Sequence, residues 1–424
     1  MKLKNAVIVL LASAVFVMGC SMQTDGGRNG NAGNGTLSAG ENPKSETGTS
    51  SVDENGEKVG NSDYIIKEEN DEKGAGMPMD IRNKSYSEQA EWAQEMLKKY
   101  YWNESERFMN NTYPSDKDNG HLNYWWKAHA VDAMMDGYER TGEKRYTDMA
   151  EQIVKGIIWR NGSLYNEFYD DMEWLALSAL RLYDATGDET IKNYVLKLWE
   201  EIKKAWWEDE LGGMAWKKND DNRNTCSNGP AAILAARLYT RFGDEENMEW
   251  ARKIHAWLKK NLVDPESGIV WDGLAVKQDG TVEVNKSWLF TYGQGTYLGA
   301  GVELYKATGE EQYLRDAEKT AAAALDKLVN FSSGILKDEG QGDGGLFKGI
   351  LIRYLVNLYE VNRDEAIKEM IYHNTDSLVN ISYSDGLFGT SWDKRRPMPL
   401  DLSTQLSGVF LVEGAAKIDR MENK

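Results

Sequence analysis

From about Ser85 to the C-terminus, hydrophobic positions fall into two alternating kinds of run. One kind is apolar nearly all round. Trp174, Leu175, Ala176, Leu177, Ala179, Leu180, Leu182 and Tyr183 leave almost no polar face, and Ala231 to Ala236 and Ile350 to Ile352 read the same way. A helix apolar on every side is one buried on every side. The other kind is one-sided: Ile191, Tyr194, Val195, Leu198 and Ile202 recur at i, i+3, i+4 and i+7, as do Leu314, Ala317, Ala321, Leu325 and Leu328. Such helices lie on a surface with one face turned inward.

The apolar runs end alike. Gly137-Tyr138-Glu-Arg-Thr-Gly142, Leu182-Tyr183-Asp-Ala-Thr-Gly187, Leu238-Tyr239-Thr-Arg-Phe-Gly243, Leu304-Tyr305-Lys-Ala-Thr-Gly309 and Leu358-Tyr359-Glu-Val-Asn each precede an acidic residue and a new helix. Repetition at about 45 to 65 residues marks stacked helix hairpins, with Gly as the C-terminal cap. Counting from an amphipathic helix at about Ser85 to Tyr101 to an apolar one at about Ser403 to Ala416 gives six helices of each kind. The predicted fold is all-α: an (α/α)6 double toroid of six inner and six outer helices.

If the inner helices run one way, their N-termini meet at one mouth. Those ends read Asn123-Tyr124-Trp125-Trp126, Tyr169-Asp170-Asp171, Ser227-Asn228-Gly229-Pro230, Tyr292-Gly293-Gln294-Gly295, Gly344-Gly345-Leu346-Phe347-Lys348 and Leu400-Asp401. Connections into this mouth are long, at about 207–227, 263–291, 332–345 and 382–403, whereas those at the other end are tight turns. Long loops on one face of a rigid scaffold are where binding usually sits. Aromatic rings, carboxylates, amides and glycines suit a sugar cleft better than a phosphate or hydride site.

Residues 1–19 read as a secretory signal: Lys2 and Lys4, an apolar run from Ala6 to Met18, then Gly19. The run is short for a membrane span. Val17-Met18-Gly19-Cys20 resembles a bacterial lipobox, with Met18 a less usual residue at its position, so Cys20 is the expected lipidation site. Residues 20–79 are Gly, Asn, Ser, Asp and Glu with few apolar residues, a composition that offsets little ordering entropy and predicts a flexible tether. Residues 80–424 form the toroidal domain. A lipid-anchored protein at a bacterial cell surface is the expected location.

Charge narrows the partners. The chain carries −18, or −20 without residues 1–19 and their two lysines, which repels nucleic acid and leaves neutral substrates open. Fifteen Trp and 21 Tyr are mostly core material, yet Trp216, Trp271 and Trp288 sit in polar connections where flat apolar faces suit sugar rings. With Cys20 assigned to a lipid, no disulfide to Cys226 is expected. His121, His129, His255 and His373 show no metal-ligand spacing, and the acidic loop at Asp220 and Asp221 is assigned no metal, so neither metal nor cofactor is expected.

The candidate chemistry sits at Asp170 and Asp171. Adjacent acids at a helix start also serve as caps or ion-pair partners. Here they open a buried helix among Phe168, Tyr169 and Trp174, aiming charge into an aromatic surround. Glycoside hydrolysis needs one protonated and one ionised carboxyl, at about 5 Å for retention and farther for inversion. Neighbouring residues reach the shorter distance, and like charges that close split their pKa values in the required direction.

Tyr-Trp-Trp-Lys-Ala-His-Ala (124–130), Tyr-Asp-Asp-Met-Glu-Trp-Leu-Ala-Leu (169–177), Cys-Ser-Asn-Gly-Pro-Ala-Ala-Ile (226–233), Thr-Tyr-Gly-Gln-Gly-Thr (291–296) and Phe-Lys-Gly-Ile (347–350) resemble the endo-α-1,6-mannanases of glycoside hydrolase family 76. The resemblance runs from about Tyr86 to the C-terminus. It implies endo-hydrolysis of α-1,6-linked mannan with retention, Asp170 as nucleophile and Asp171 as acid/base. It implies subsites lined by Trp125, Trp126, Ser227, Asn228, Asp272, Tyr292 and Gln294; Tyr169, Phe347 and Lys348 join them from the mouth. Gly293 stands where the family usually has Asn. Two other readings fit such a mouth. An epimerase or uronyl hydrolase would want histidines or a basic clamp there, of which His121, His129 and Lys348 are the nearest candidates; a glycan-binding lipoprotein would not need both aspartates.

Overall fold

Ser85 opens the first helix with a capping box, its hydroxyl accepting from the Glu88 amide while the Glu88 carboxylate accepts from the Ser85 amide at 3.0 Å. The computed structural model describes residues 80–115, 120–277, 279–395 and 397–423. The expected signal segment, tether, Cys20 lipidation and any pairing of Cys20 lie outside the described residues. Among these there are twelve α-helices. The outer six are α1 (Tyr86–Tyr101), α3 (Lys144–Asn161), α5 (Glu189–Ile202), α7 (Glu245–Asn261), α9 (Glu311–Leu328) and α11 (Glu365–Ser382). The inner six are α2 (Tyr124–Thr141), α4 (Tyr169–Thr186), α6 (Thr225–Phe242), α8 (Thr291–Thr308), α10 (Gly344–Asn362) and α12 (Leu402–Glu422). Each inner helix packs on the next, and α12 packs on α2, so the inner ring closes as the (α/α)6 expectation requires.

The repeated Tyr-x-x-x-Gly signature has a local cause. Gly142, Gly187, Gly243 and Gly309 adopt φ of 67 to 73°, and each amide donates to the tyrosine carbonyl four residues back at 2.7–2.8 Å. At the fifth repeat Arg363 takes the left-handed position at φ 54° and donates to the Tyr359 carbonyl at 3.1 Å. The next outer helix then starts at once. Asp188, Asp244 and Asp364 cap α5, α7 and α11 through their carboxylates. At the mouth end the connections span 203–224, 262–290, 329–343 and 383–401.

One boundary differs from expectation. The last helix continues to Glu422 instead of stopping near Ala416, because Ile418 is still buried and Glu413 turns inward to pair with Arg140 at 3.0 Å. The inner ring is filled by small and aromatic residues near the mouth. Toward the far end it carries charge: Arg181 reaches Asp132 and Asp136 at 2.6 Å each, and Arg353 reaches Asp136 at 2.7 Å. None of the described helices is long and apolar enough to cross a membrane.

Candidate active site

Phe168 occupies the N-cap of α4 and has no polar group to offer the free amides there. Asp170 serves them instead, its carboxylate accepting from the backbone amides of Asp170 and Asp171. Tyr169 ties this turn to the 203–224 loop by donating its amide to the Trp216 carbonyl at 2.9 Å, and Trp216 packs on Phe168 with ring centres 5.0 Å apart. Asp171 accepts from the Asn166 side-chain amide at 2.9 Å.

The two carboxyls are thereby made unequal. Burial pushes Asp170 up to about 7, opposed by the backbone amides and reinforced by the charge of Asp343. Burial also pushes Asp171 well above the usual carboxylate range, and the charges of Asp170 and Asp343 push it further, with the Asn166 amide as its donor. At Asp170 the first-turn backbone amides favour the anion, whereas at Asp171 two neighbouring charges add to burial, so the proton of the pair belongs on Asp171. One turn deeper, Glu173 is fully buried, and burial followed by the charge of Asp170 holds its carboxyl well above the usual range.

An aromatic wall stands beside the pair. Phe347 of α10 packs against Tyr292 of α8 at 4.7 Å and Phe290 at 5.3 Å, with Trp125 of α2 at 6.4 Å. Trp125 and Phe290 are the half-buried members; Trp126, Tyr169, Tyr292 and Phe347 are buried. The Tyr292 hydroxyl donates to Asp272, whose carboxyl burial raises to about 7. Asp272 is anchored in turn, because its carbonyl accepts from the Thr225 amide at 2.7 Å and Gly273 pairs with Asn224 at the edge of a three-stranded antiparallel sheet. The remaining strands of that sheet are Gly273–Val276 and Val282–Val284, a hairpin on the α7–α8 connection.

Four of the expected contact residues face the loops instead. Asn228 is fully buried, accepting from the Met214 amide at 2.9 Å and donating to the Asn224 carbonyl at 2.8 Å. Gln294 does the same for the α7–α8 connection, accepting from the Val270 amide at 2.8 Å and donating to the Val270 carbonyl at 2.7 Å. The Ser227 hydroxyl donates to the Asn224 side chain at 3.1 Å. Lys348 is 1% exposed, its ammonium donating to the Thr390 carbonyl at 2.6 Å and lying 4.0 Å over Trp392, and burial pushes it down to about 7. With both halves of each amide engaged, Asn228 and Gln294 shape the mouth by clamping its loops.

Asn166, Glu173 and Asp343 stand at the pair without having been singled out for it, and Trp216, expected only as a ring suited to sugars, packs beside it. Asn166 and Glu173 lie in the acidic stretch itself, where the spacing to Asp171 and Asp170 was available. Asp343 had no signal, since its partners Trp125 and Trp126 are 218 and 217 positions away. Of the histidines near the first inner helix, His129 is buried between Trp125, Trp174 and Phe410.

The model of glycosyl hydrolase family 76 matches residues 85–412. Among curated proteins, the mannan endo-1,6-α-mannosidases of Candida glabrata and Saccharomyces cerevisiae match with 28% identity over 189 residues and 26% over 287. Those matches cover 41% and 60% of this chain and span 41% and 62% of the relatives' own lengths. Among solved structures, the GH76A α-1,6-mannanase of Salegentibacter sp. HEL1_6 is 43% identical with a TM-score of 0.74, over 78% of this chain and 99% of that one. An inactive variant of that mannanase, with two consecutive aspartates changed to asparagine, is solved in complex with α-1,6-mannotriose and matches equally.

Proposed function

Because the chain belongs to glycosyl hydrolase family 76, and so is a glycoside hydrolase, we propose that it cleaves α-1,6-mannosidic linkages within mannan chains with retention of configuration. The observation that carries this reading is the unequal carboxyl pair at the start of α4, beside a half-buried tryptophan. Asp171 donates its proton to the glycosidic oxygen as that bond breaks, and the Asp170 carboxylate attacks the anomeric carbon from the opposite side. Asp171, now ionised, then takes a proton from water as the water displaces Asp170 from the same carbon. Two inversions return the α configuration. Burial serves both roles, because a dry site strengthens every charge that develops in it.

Trp125 offers the flat face on which a mannose ring stacks, with Tyr169, Tyr292, Phe347 and Asp272 behind the cleft surface. Trp126, Ser227, Asn228, Gln294 and Lys348 act on substrate through the rings and loops they hold. The inactive double-aspartate variant of the Salegentibacter enzyme supports assigning catalysis to an adjacent pair. At its N-terminus the chain is held to a bacterial membrane by a lipid on Cys20, with residues 21–79 as the tether. The lipobox-like Val17 to Cys20 and the sparse apolar content that follows support this. Mass spectrometry of the N-terminal peptide checks it, and an unmodified Cys20 would refute it.

Linear α-1,6-mannan incubated with the protein and followed by proton NMR tests the reaction. Short α-1,6-manno-oligosaccharides are expected, appearing first as the α-anomer. The β-anomer first would overturn retention; tight binding without product would leave only a glycan-binding role.

A further inference from the structure

Asp343 stands at the N-cap of α10, yet its side chain makes no capping bond to that helix. A capping aspartate is ordinarily worth about 1 kcal/mol, so a carboxylate that turns elsewhere has another partner. It crosses to α2, where one oxygen, Oδ1, accepts from the indole N–H of Trp125 at 2.9 Å and from that of Trp126 at 3.0 Å. Two consecutive indoles point their only donors at one atom. The backbone beneath is fixed as well: the Gly342 amide donates to Asp401 at 2.8 Å, and the Leu346 amide to the Asp343 carbonyl at 3.0 Å. The same carboxylate is close enough to Asp170 and Asp171 for its charge to act on both.

We propose that Asp343 is the positioning residue of the cleft: it fixes the orientation of the Trp125 ring, through Trp125 and Trp126 together, and stands as a third negative charge beside the Asp170–Asp171 pair. The catalytic half of this inference rests on the mannanase reading; the indole half does not. A ring with its N–H held by an anion keeps one rotamer, and a stacking platform that is already ordered costs less to use. A fixed negative charge resists loss of the last proton from the pair. Other titratable groups against the pair are Glu173 on α4, Tyr124 on α2 and Tyr292 on α8, with Asp272 behind Tyr292; His129 on α2, Glu339 and Lys348 on the α10 side and Asp401 before α12 stand on the neighbouring elements. Glu339 is occupied by the Thr291 amide at 3.0 Å. Lys348 points to Thr390. The charge of Asp343 acts on both carboxyls of the pair.

Two variants separate the roles. Asp343→Asn keeps an oxygen for both indoles and removes the charge; Asp343→Ala removes both. On α-1,6-mannan, Asp343→Asn is expected to keep KM and to displace the pH profile of kcat/KM to lower pH, because the acid then gives up its proton sooner. Asp343→Ala is expected to raise KM by roughly tenfold or more. An Asp343→Asn profile superimposed on that of the wild type, or a wild-type KM in Asp343→Ala, overturns the proposal. Indole Nε1–H resonances from 15N-tryptophan labelling give a readout independent of the reaction. Two of them are expected to move in Asp343→Ala of the folded protein, and none moving overturns the proposal even if the wild type proves inactive on this mannan.

Discussion

At the scale of single residues the site is expensive to fold. Asp170 is buried beside Asp171 with its carboxyl raised from 3.8 to about 7. A raised carboxyl pKa means that the fold favours the protonated form. Stability from this group is therefore complete below the unfolded value and is lost as pH rises through the folded one. The window runs from about pH 4 to 7. Asparagine has no such titration. Asp170→Asn is expected to abolish activity while melting higher than the wild type near pH 7 and about equally near pH 4. Asp171→Asn is expected to lose activity equally, because the proton donor goes. A melting difference that does not grow between those pH values would refute the burial account. The pair was legible in the sequence because both acids stand together before an apolar run. Trp216 was visible only as an aromatic ring in a polar loop, and the fold is needed to bring it beside Asp170.

At the scale of elements, the helices and their ends were legible and the loops were not, for one physical reason. A helix cap uses neighbours in sequence, so Tyr183 to Gly187 or Asp188 to Thr190 can be read directly. A clamp such as Gln294 on Val270 joins a side chain to backbone 24 residues away, and backbone carries no side-chain signature. Gln405 holds the last connection in the same manner, accepting from the Phe388 amide at 3.0 Å and donating to the Gly386 carbonyl at 3.0 Å. Clamps of this kind start α6, α8 and α12, so the first turns of the inner helices set the shape of the mouth. Helix α8 also carries two glycines with opposite tolerances. A Cβ at Gly295 would lie 2.8 Å from the Leu351 Cα, where the backbone of α10 crosses, whereas at Gly293 it meets Thr225 Cγ2 at an ordinary 3.5 Å. Gly293→Ala is expected to stabilise by about 0.5–1 kcal/mol, the usual gain of alanine over glycine in a helix. Gly295→Ala is expected to lose a few kcal/mol through overpacking, roughly 1–3. Urea unfolding of the two variants decides. The space at Gly293 admits a Cβ, so the glycine there, where the family it resembles usually has asparagine, is not required by a clash at that atom.

At the scale of the molecule, six parallel inner helices give the toroid an axis with unlike ends. Their N-termini bring partial positive charge to the mouth and their C-termini partial negative charge to the base. The two ends carry different charged sets. Asp170, Asp171, Asp272 and Asp343 gather at the mouth, while Arg181, Arg237, Arg241, Lys306, Lys417 and Arg420 line a cavity of about 450 Å³ at the far end. Its acids are largely paired with these bases, as in Arg237 to Glu303 at 2.7 Å and Lys306 to Glu360 at 2.8 Å. The crossing bonds do more than neutralise: Arg353 ties α10 to Asp136 of α2, and its guanidinium lies 4.3 Å over Phe410 of α12. Three inner helices thus meet at one cation. Replacing it with an uncharged side chain of similar length leaves Asp136 buried with only Arg181 opposite it. Arg353→Met is therefore expected to destabilise the whole ring by about 3–5 kcal/mol, the cost of breaking a buried ion pair on one side. Because the ring is closed, the loss should appear as one cooperative transition at lower urea, with unchanged slope. Early melting of α10 alone would instead mean that the inner helices are held pairwise and that closure through α12 and α2 contributes little.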